Sequence, residues 1–124
     1  MIKQGDIAWL DLDPQIGNEQ SGRRPVVVVS NEYFHNRTSQ TRAMICPITR
    51  TDNRFSLHVK LNEDTKTQGF AMCEQIKILD IGARNYRFIE EMPEEILSEI
   101  LGTMGDFIVK DPKTNIVAEV AETN

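Results

Sequence analysis

Apolar residues recur along this chain at two spacings, and the change from one to the other divides it. As far as Leu79 they come in short runs bounded by turn-forming residues, the pattern of antiparallel strands. The runs predict strands over Asp6 to Leu12, Pro25 to Ser30, Arg42 to Ile48, Phe55 to Leu61 and Phe70 to Leu79. PVVVVS is apolar at successive positions, so it reads as a central strand covered on both faces, with its proline at the first position, where a missing N–H is tolerated. In FSLHVKL, Phe55, Leu57, Val59 and Leu61 alternate with Ser56, His58 and Lys60, which assigns His58 to the polar strand face. NEYFHNRTSQ, which carries His35, reads as a loop. Beyond Pro93 the spacing becomes helical: Ile96, Leu97, Ile100, Leu101, Met104, Phe107 and Ile108 form one stripe. Pro93 can open that helix, Glu94 and Glu95 complement its N-terminal dipole, and Asp111-Pro112 stops it. Gly102 and Gly105 each cost about 1 kcal/mol there relative to alanine. Either a close approach to the sheet or a second subunit requires them, or they are tolerated weaknesses.

Short strands followed by a helix, without alternating βαβ units, make the chain mainly β with α (α+β), a small antiparallel sheet or barrel. A length of 124 residues suits a single core, and the expected organisation is one domain over residues 1–112 followed by a short tail, 113–124. No apolar run is long enough to cross a bilayer, and MIKQGDIAWLDLD lacks the core of a signal peptide, so a cytoplasmic protein is expected. Cys46 and Cys73 lie in apolar stretches without CxxC spacing and read as buried, reduced core residues. No Cys/His/Asp cluster has ligand spacing, so neither a metal nor another cofactor is expected.

Net charge is −5, which argues against a nucleic-acid binder, because phosphate neutralisation usually leaves a basic footprint. The distribution softens the objection. Residues 1–70 carry nine Lys/Arg against eight Asp/Glu, and residues 71–124 five against eleven. Glu90, Glu91, Glu94, Glu95, Glu99 and Asp106 fall in or beside the predicted helix, as a solvated face. Between the first two strands, DPQIGNEQSGRR is a long connection, and long loops in small domains are usually functional or mobile.

The motifs G-D-I, L-D-P, G-x-E-Q, G-x-R-P, C-P-I-T and E-Q-I occur here in one order over approximately residues 4–109. Together they resemble the signature blocks of the MazF/PemK-like toxins. The resemblance implies an SH3-like barrel with a C-terminal helix, a homodimer, and a metal-independent endoribonuclease that cuts single-stranded RNA and is inhibited by a cognate antitoxin. That antitoxin is expected as a short acidic or amphipathic segment laid along the dimer groove, competing with RNA for positive surface.

Cutting RNA without a metal requires a nucleophile already in the substrate, and the 2′-hydroxyl beside the scissile phosphate is available. Its attack gives 2′,3′-cyclic phosphate and 5′-hydroxyl ends and builds charge on the phosphoryl oxygens, which fixed donors stabilise. Arg24, in GRRP, matches the family's catalytic arginine, and its planar fork suits phosphate. Because an ordinary guanidinium has a pKa above about 12 and releases protons poorly, electrostatic stabilisation is the role expected. Thr49, in CPIT, matches the second catalytic position, its hydroxyl a donor to a phosphoryl oxygen or a hold on the attacking group. Glu19, Gln20 and Gln75 are carried over as residues that shape the site or contact RNA. Glu19 is also a conceivable general base if burial raises its pKa. One branch of the family has a histidine, an arginine and an aspartate where this chain has Asn18, Met72 and Glu74, which favours the Arg24/Thr49 version. Phe34, Asn36, Arg37, Arg50 and Arg54, flanking the third strand, are candidates to stack on or hydrogen-bond bases. A second reading is a non-enzymatic toxin on the same barrel, related to the gyrase poison CcdB, or a protein-binding module; the acidic balance supports it, and its key residues would lie on the terminal helix.

Overall fold

The computed structural model describes residues 1–12 and 22–113. Along them run β1 (Asp6–Leu12), β2 (Gly22–Val28), α1 (Glu32–Arg37), β3 (Arg42–Thr49), β4 (His58–Lys60), β5 (Phe70–Met72), a 3-10 turn (Cys73–Gln75), β6 (Lys77–Asp80), β7 (Arg87–Glu91) and α2 (Glu94–Gly105). Every pairing is antiparallel, in the order β4-β5-β3-β2-β1-β7, with β6 also on β3. This is the expected barrel-like α+β fold with a helix at its C-terminal end. Among the described residues no helix is long and apolar enough to cross a membrane.

The strand that reads as central is central. Val27 and Val29 join Ile7, Cys46, Ile48, Ile96 and Ile100 in one apolar cluster, while Val26 and Val28 join Leu10, Leu12, Ala43, Ile45 and Ile81 in another. Burying each of the valine, leucine and isoleucine side chains stabilises the fold by about 1.5–3 kcal/mol. β2 starts at Gly22, three residues before the expected Pro25. Pro25 pairs with Trp9 on β1, and the pairing with β3 begins only at Val26. The missing N–H therefore leaves no gap in the β2–β3 ladder. Cys46 and Cys73 are buried, unoxidised core residues, as expected.

Four other expectations are corrected. The strand expected from Phe70 to Leu79 is broken in two. Ile48 pairs with Ala71, so an unbroken strand would set Ile45 opposite Glu74, yet its partner is Lys77. The 3-10 turn takes up that three-residue slip. The strand expected from Phe55 shrinks to His58–Lys60 because Asp52 and Asn53 accept the N–H groups of Arg54 and Phe55 at 3.0 and 3.1 Å, bending the chain in Asx turns. NEYFHNRTSQ is no loop throughout: Asn31 Oδ1 accepts the Phe34 N–H at 3.1 Å and caps α1. Finally, Glu90 and Glu91, just before the helix, stand on β7, a strand that sequence periodicity misses.

The stripe of α2 is half right. Ile96 and Ile100 are buried, with Leu97, Leu101 and Met104 packed on the same cluster. The helix ends at Gly105, short of Asp111-Pro112, and Phe107 and Ile108 lie beyond it, exposed. A Cβ at Gly102 would meet nothing within 4 Å, so contact with the sheet is not what places glycine there.

Candidate active site

A cleft of about 630 Å³ opens where β1, β2, β3 and β7 meet the β4–β5 loop. β1 contributes Trp9, β2 Arg23, Arg24 and Pro25, the end of β3 Ile48 and Arg50, the loop Lys66, Thr67 and Gln68, and β7 Ile89. Four of these are cations and none is a carboxylate, in a chain whose net charge is −5. Apolar walls of Trp9, Ile48 and Ile89 lower the local dielectric and strengthen the field that those cations present to an anion.

The cations are not equivalent. Arg23 pairs with Asp11 at 3.0 Å, both well exposed, so the pair adds little to stability. Asp11 also accepts from Asn85 at 2.6 Å, and the Asn85 hydrogen bond, then Arg23, holds its carboxyl below the usual range. Arg24 is half-buried opposite Leu10. Val26 pairs with Pro47, and the same register continued two residues sets Arg24 level with Thr49.

Thr49 ends β3 against Phe70 and is 6% exposed; its Oγ1 accepts the Thr51 N–H at 3.2 Å. It does not itself line the cleft, although Ile48 and Arg50 on either side do. Gly69 explains how the loop comes so near. It holds φ at +127°, and an added Cβ would stand 2.1 Å from the Thr49 carbonyl oxygen, a position that no side chain can share.

Of the residues picked from sequence, the cleft thus brings together Arg24 and Arg50, with Thr49 at its edge. Glu19 and Gln20 lie outside the described residues. Phe34, Asn36 and Arg37 stand on α1, which precedes the start of β3, whereas Thr49 ends it. Eight strand residues separate the two ends by on the order of 20 Å. Within one chain these three are therefore not at the cleft; the Arg37 guanidinium instead lies 3.7 Å over the Tyr33 ring. Arg54, in left-handed backbone at φ 58°, and Gln75, on the 3-10 turn, line neither the cleft nor the neighbouring hollow beyond Arg50.

Sequence reading misses Trp9, Lys66, Thr67 and Gln68. Trp9 passes for a core residue of an apolar strand, yet is 40% exposed. TKTQ has no periodicity, and its place at the cleft depends on a long-range contact.

His58 and His35 depart from expectation too. The His58 side chain is 5% exposed, with Nε2 2.9 Å from Glu74 Oε2 and its ring edge-on to Phe55. His35 is 1% exposed on α1, with Nε2 2.7 Å from the Ser30 hydroxyl. Among the described residues no three His, Cys, Asp or Glu side chains gather as a metal would require.

Fold and cleft together define a small antiparallel barrel with a cationic cleft. A family model described as "PemK-like, MazF-like toxin of type II toxin-antitoxin system" matches residues 3–108, and the chain belongs to that family. Endoribonuclease PemK of Escherichia coli is 32% identical over 111 residues, covering 86% of this chain and 82% of that protein. The crystal structure of MazF from Deinococcus radiodurans superposes with a TM-score of 0.78 at 28% identity, covering 86% of this chain and 96% of the other. A MazE-MazF crystal structure from the same organism gives 0.73 at 26% identity, over 86% and 95% of the two chains.

Proposed function

We propose that this family member is a metal-independent endoribonuclease that cuts single-stranded RNA by attack of the substrate's own 2′-hydroxyl, acts as a homodimer, and is silenced by a cognate antitoxin. The observation that carries the reading is that, among the described residues, every charged side chain lining the cleft is a cation, in an acidic chain. An anionic polymer suits that lining, and apolar walls with an exposed tryptophan suit unstacked bases. The naming of a similar protein as endoribonuclease PemK supports the same activity, and the MazE-MazF complex supports the antitoxin.

In the proposed step the 2′-oxygen bonds to phosphorus and gives up its proton, the P–O5′ bond breaks, and the leaving 5′-oxygen takes up a proton. Arg24 stabilises the charge that develops on the phosphoryl oxygens, with Arg50 beside it. Thr49 Oγ1 already accepts the Thr51 N–H, which leaves its own proton to donate to a phosphoryl oxygen. Glu19 and Gln20 are proposed to complete the site from the β1–β2 connection.

Incubation with long single-stranded RNA in excess EDTA, followed by end mapping, is the test. The expected products carry 2′,3′-cyclic phosphate and 5′-hydroxyl ends, and a substrate with a 2′-deoxy residue at the cut stays whole. RNA left intact across many sequences, or cleavage that EDTA abolishes, overturns the proposal.

A further inference from the structure

Lys66, Thr67 and Gln68 line the cleft but belong to no strand or helix, so something else must hold them. That group is Glu90. Its Oε1 accepts the Lys66 N–H at 3.0 Å, and its Oε2 accepts the Thr67 N–H at 2.8 Å and the Thr67 hydroxyl at 2.7 Å. Glu90 sits on β7 opposite Ile7, while Phe88 sits opposite Ala8, so Ile89 is an extra, bulged residue. Bulges re-aim the side chains beside them, and here Ile89 faces the cleft while Glu90 reaches the loop. The turn is braced from within as well, because the Thr65 hydroxyl reaches the carbonyls of Asn62 at 2.9 Å and Thr67 at 2.6 Å.

We propose that Glu90 is a positioning residue: it fixes the β4–β5 loop across the cleft so that Lys66 is held ready to contact a phosphate of the bound RNA. This rests on the RNA reading above. A bare carboxylate beside an RNA cleft would repel phosphate, but three donors converge on this one and occupy its oxygens. Burial works against its ionisation, yet the hydrogen bonds from Lys66 and Thr67 outweigh it and keep the carboxyl below the usual range, so the strut is charged at neutral pH. A lysine on an unpaired loop otherwise sacrifices conformational freedom each time it engages a ligand; a loop fixed in advance has already lost it. Gln68 and Arg50 also border the neighbouring hollow of about 580 Å³, so the loop forms the wall between two hollows.

The test is the salt dependence of KM for cleavage of a long single-stranded RNA, with KM and kcat measured separately. Loss of one phosphate contact flattens the slope of log(1/KM) against log salt by about 0.7. Lys66→Ala, Glu90→Ala and Glu90→Gln are each expected to do so, with KM rising more than kcat falls. The Lys66→Ala/Glu90→Ala double variant should be no worse than Lys66→Ala alone, because the two act on one contact. If Glu90→Ala or Glu90→Gln lowers the melting temperature but keeps the wild-type slope, Glu90 is structural and the inference fails. If Lys66→Ala keeps the slope, it fails as well. In either case Arg24→Ala separates the readings: a collapse of kcat leaves the cleft as the active site, whereas wild-type turnover removes the RNA reading itself.

Discussion

The two ends of β3 face opposite problems. At its start, several polar groups find partners within the protein, although the buried Gln40 Oε1 has none among the described residues: Ser30 Oγ accepts the Met44 N–H at 2.8 Å and meets His35 at 2.7 Å, and Arg37 stacks on Tyr33. At its finish, Arg50 joins Arg23, Arg24 and Lys66 around one cleft whose lining, among the described residues, holds no carboxylate. Like charges in one cleft repel one another, even where, as at Arg23, a carboxylate outside the lining offsets one of them. The first end gathers groups that satisfy one another, whereas the second gathers like charges, as the proposed RNA site requires.

The largest effect expected from this contrast lies at the cleft. Arg24→Ala should cut RNA cleavage by on the order of 10²–10³-fold, as loss of one transition-state donor does, while stability shifts by no more than about 0.5–1 kcal/mol. Arg37→Ala, at the other end, should leave cleavage within about threefold. Turnover on long RNA alongside thermal unfolding decides it. Equal losses in both variants would mean that a second subunit carries α1 to the cleft, and the division between the ends would collapse.

A change that couples stability to the cleft comes next. Gly69→Ala forces a left-handed backbone on a residue with a side chain, at about 1–3 kcal/mol, and drives the new Cβ into the Thr49 carbonyl. Both the urea midpoint and cleavage per folded molecule should fall, because the strand end that carries Thr49 must move. A variant that is destabilised yet fully active would detach Thr49 from the chemistry.

How far the sequence discloses each end follows from the same contrast. PVVVVS and the Ile96/Ile100 stripe are long enough for periodicity to show, and both elements form around those residues, though with shifted ends. β7 carries three charges in five residues, RFIEE, so its alternation is hidden, and Asn31 looks like loop punctuation until its capping bond is seen. Arg24 and Arg50 are found because they abut recognisable motifs. Lys66 and Thr67 are not, because Glu90, more than twenty residues later, sets their place. Local pattern reports burial; it does not report which distant strand will hold a loop.

The smallest effect belongs to the internally matched end and has a definite sign. Burial pushes the His35 pKa below 6.5, against the attraction of Asp6 and a bond to the Ile2 backbone, which both raise it. The folded protein thus binds this proton less readily than the unfolded chain, so the stabilisation is complete above pH 6.5 and is lost as pH falls from there through the lowered folded value. Ordinary carboxylates titrate mostly below that window, near pH 4. Melting temperatures taken from pH 7.5 down to about 5.5 should therefore decline in the wild type and decline less in His35→Gln, whose amide keeps a partner for Ser30 without acquiring charge. Cleavage per folded molecule should differ little between the two proteins across the same range, because His35 lies at the end of β3 away from the cleft. Parallel melting curves would remove His35 as the acid-sensitive group. A cleavage profile that shifts with His35→Gln would join the two ends after all.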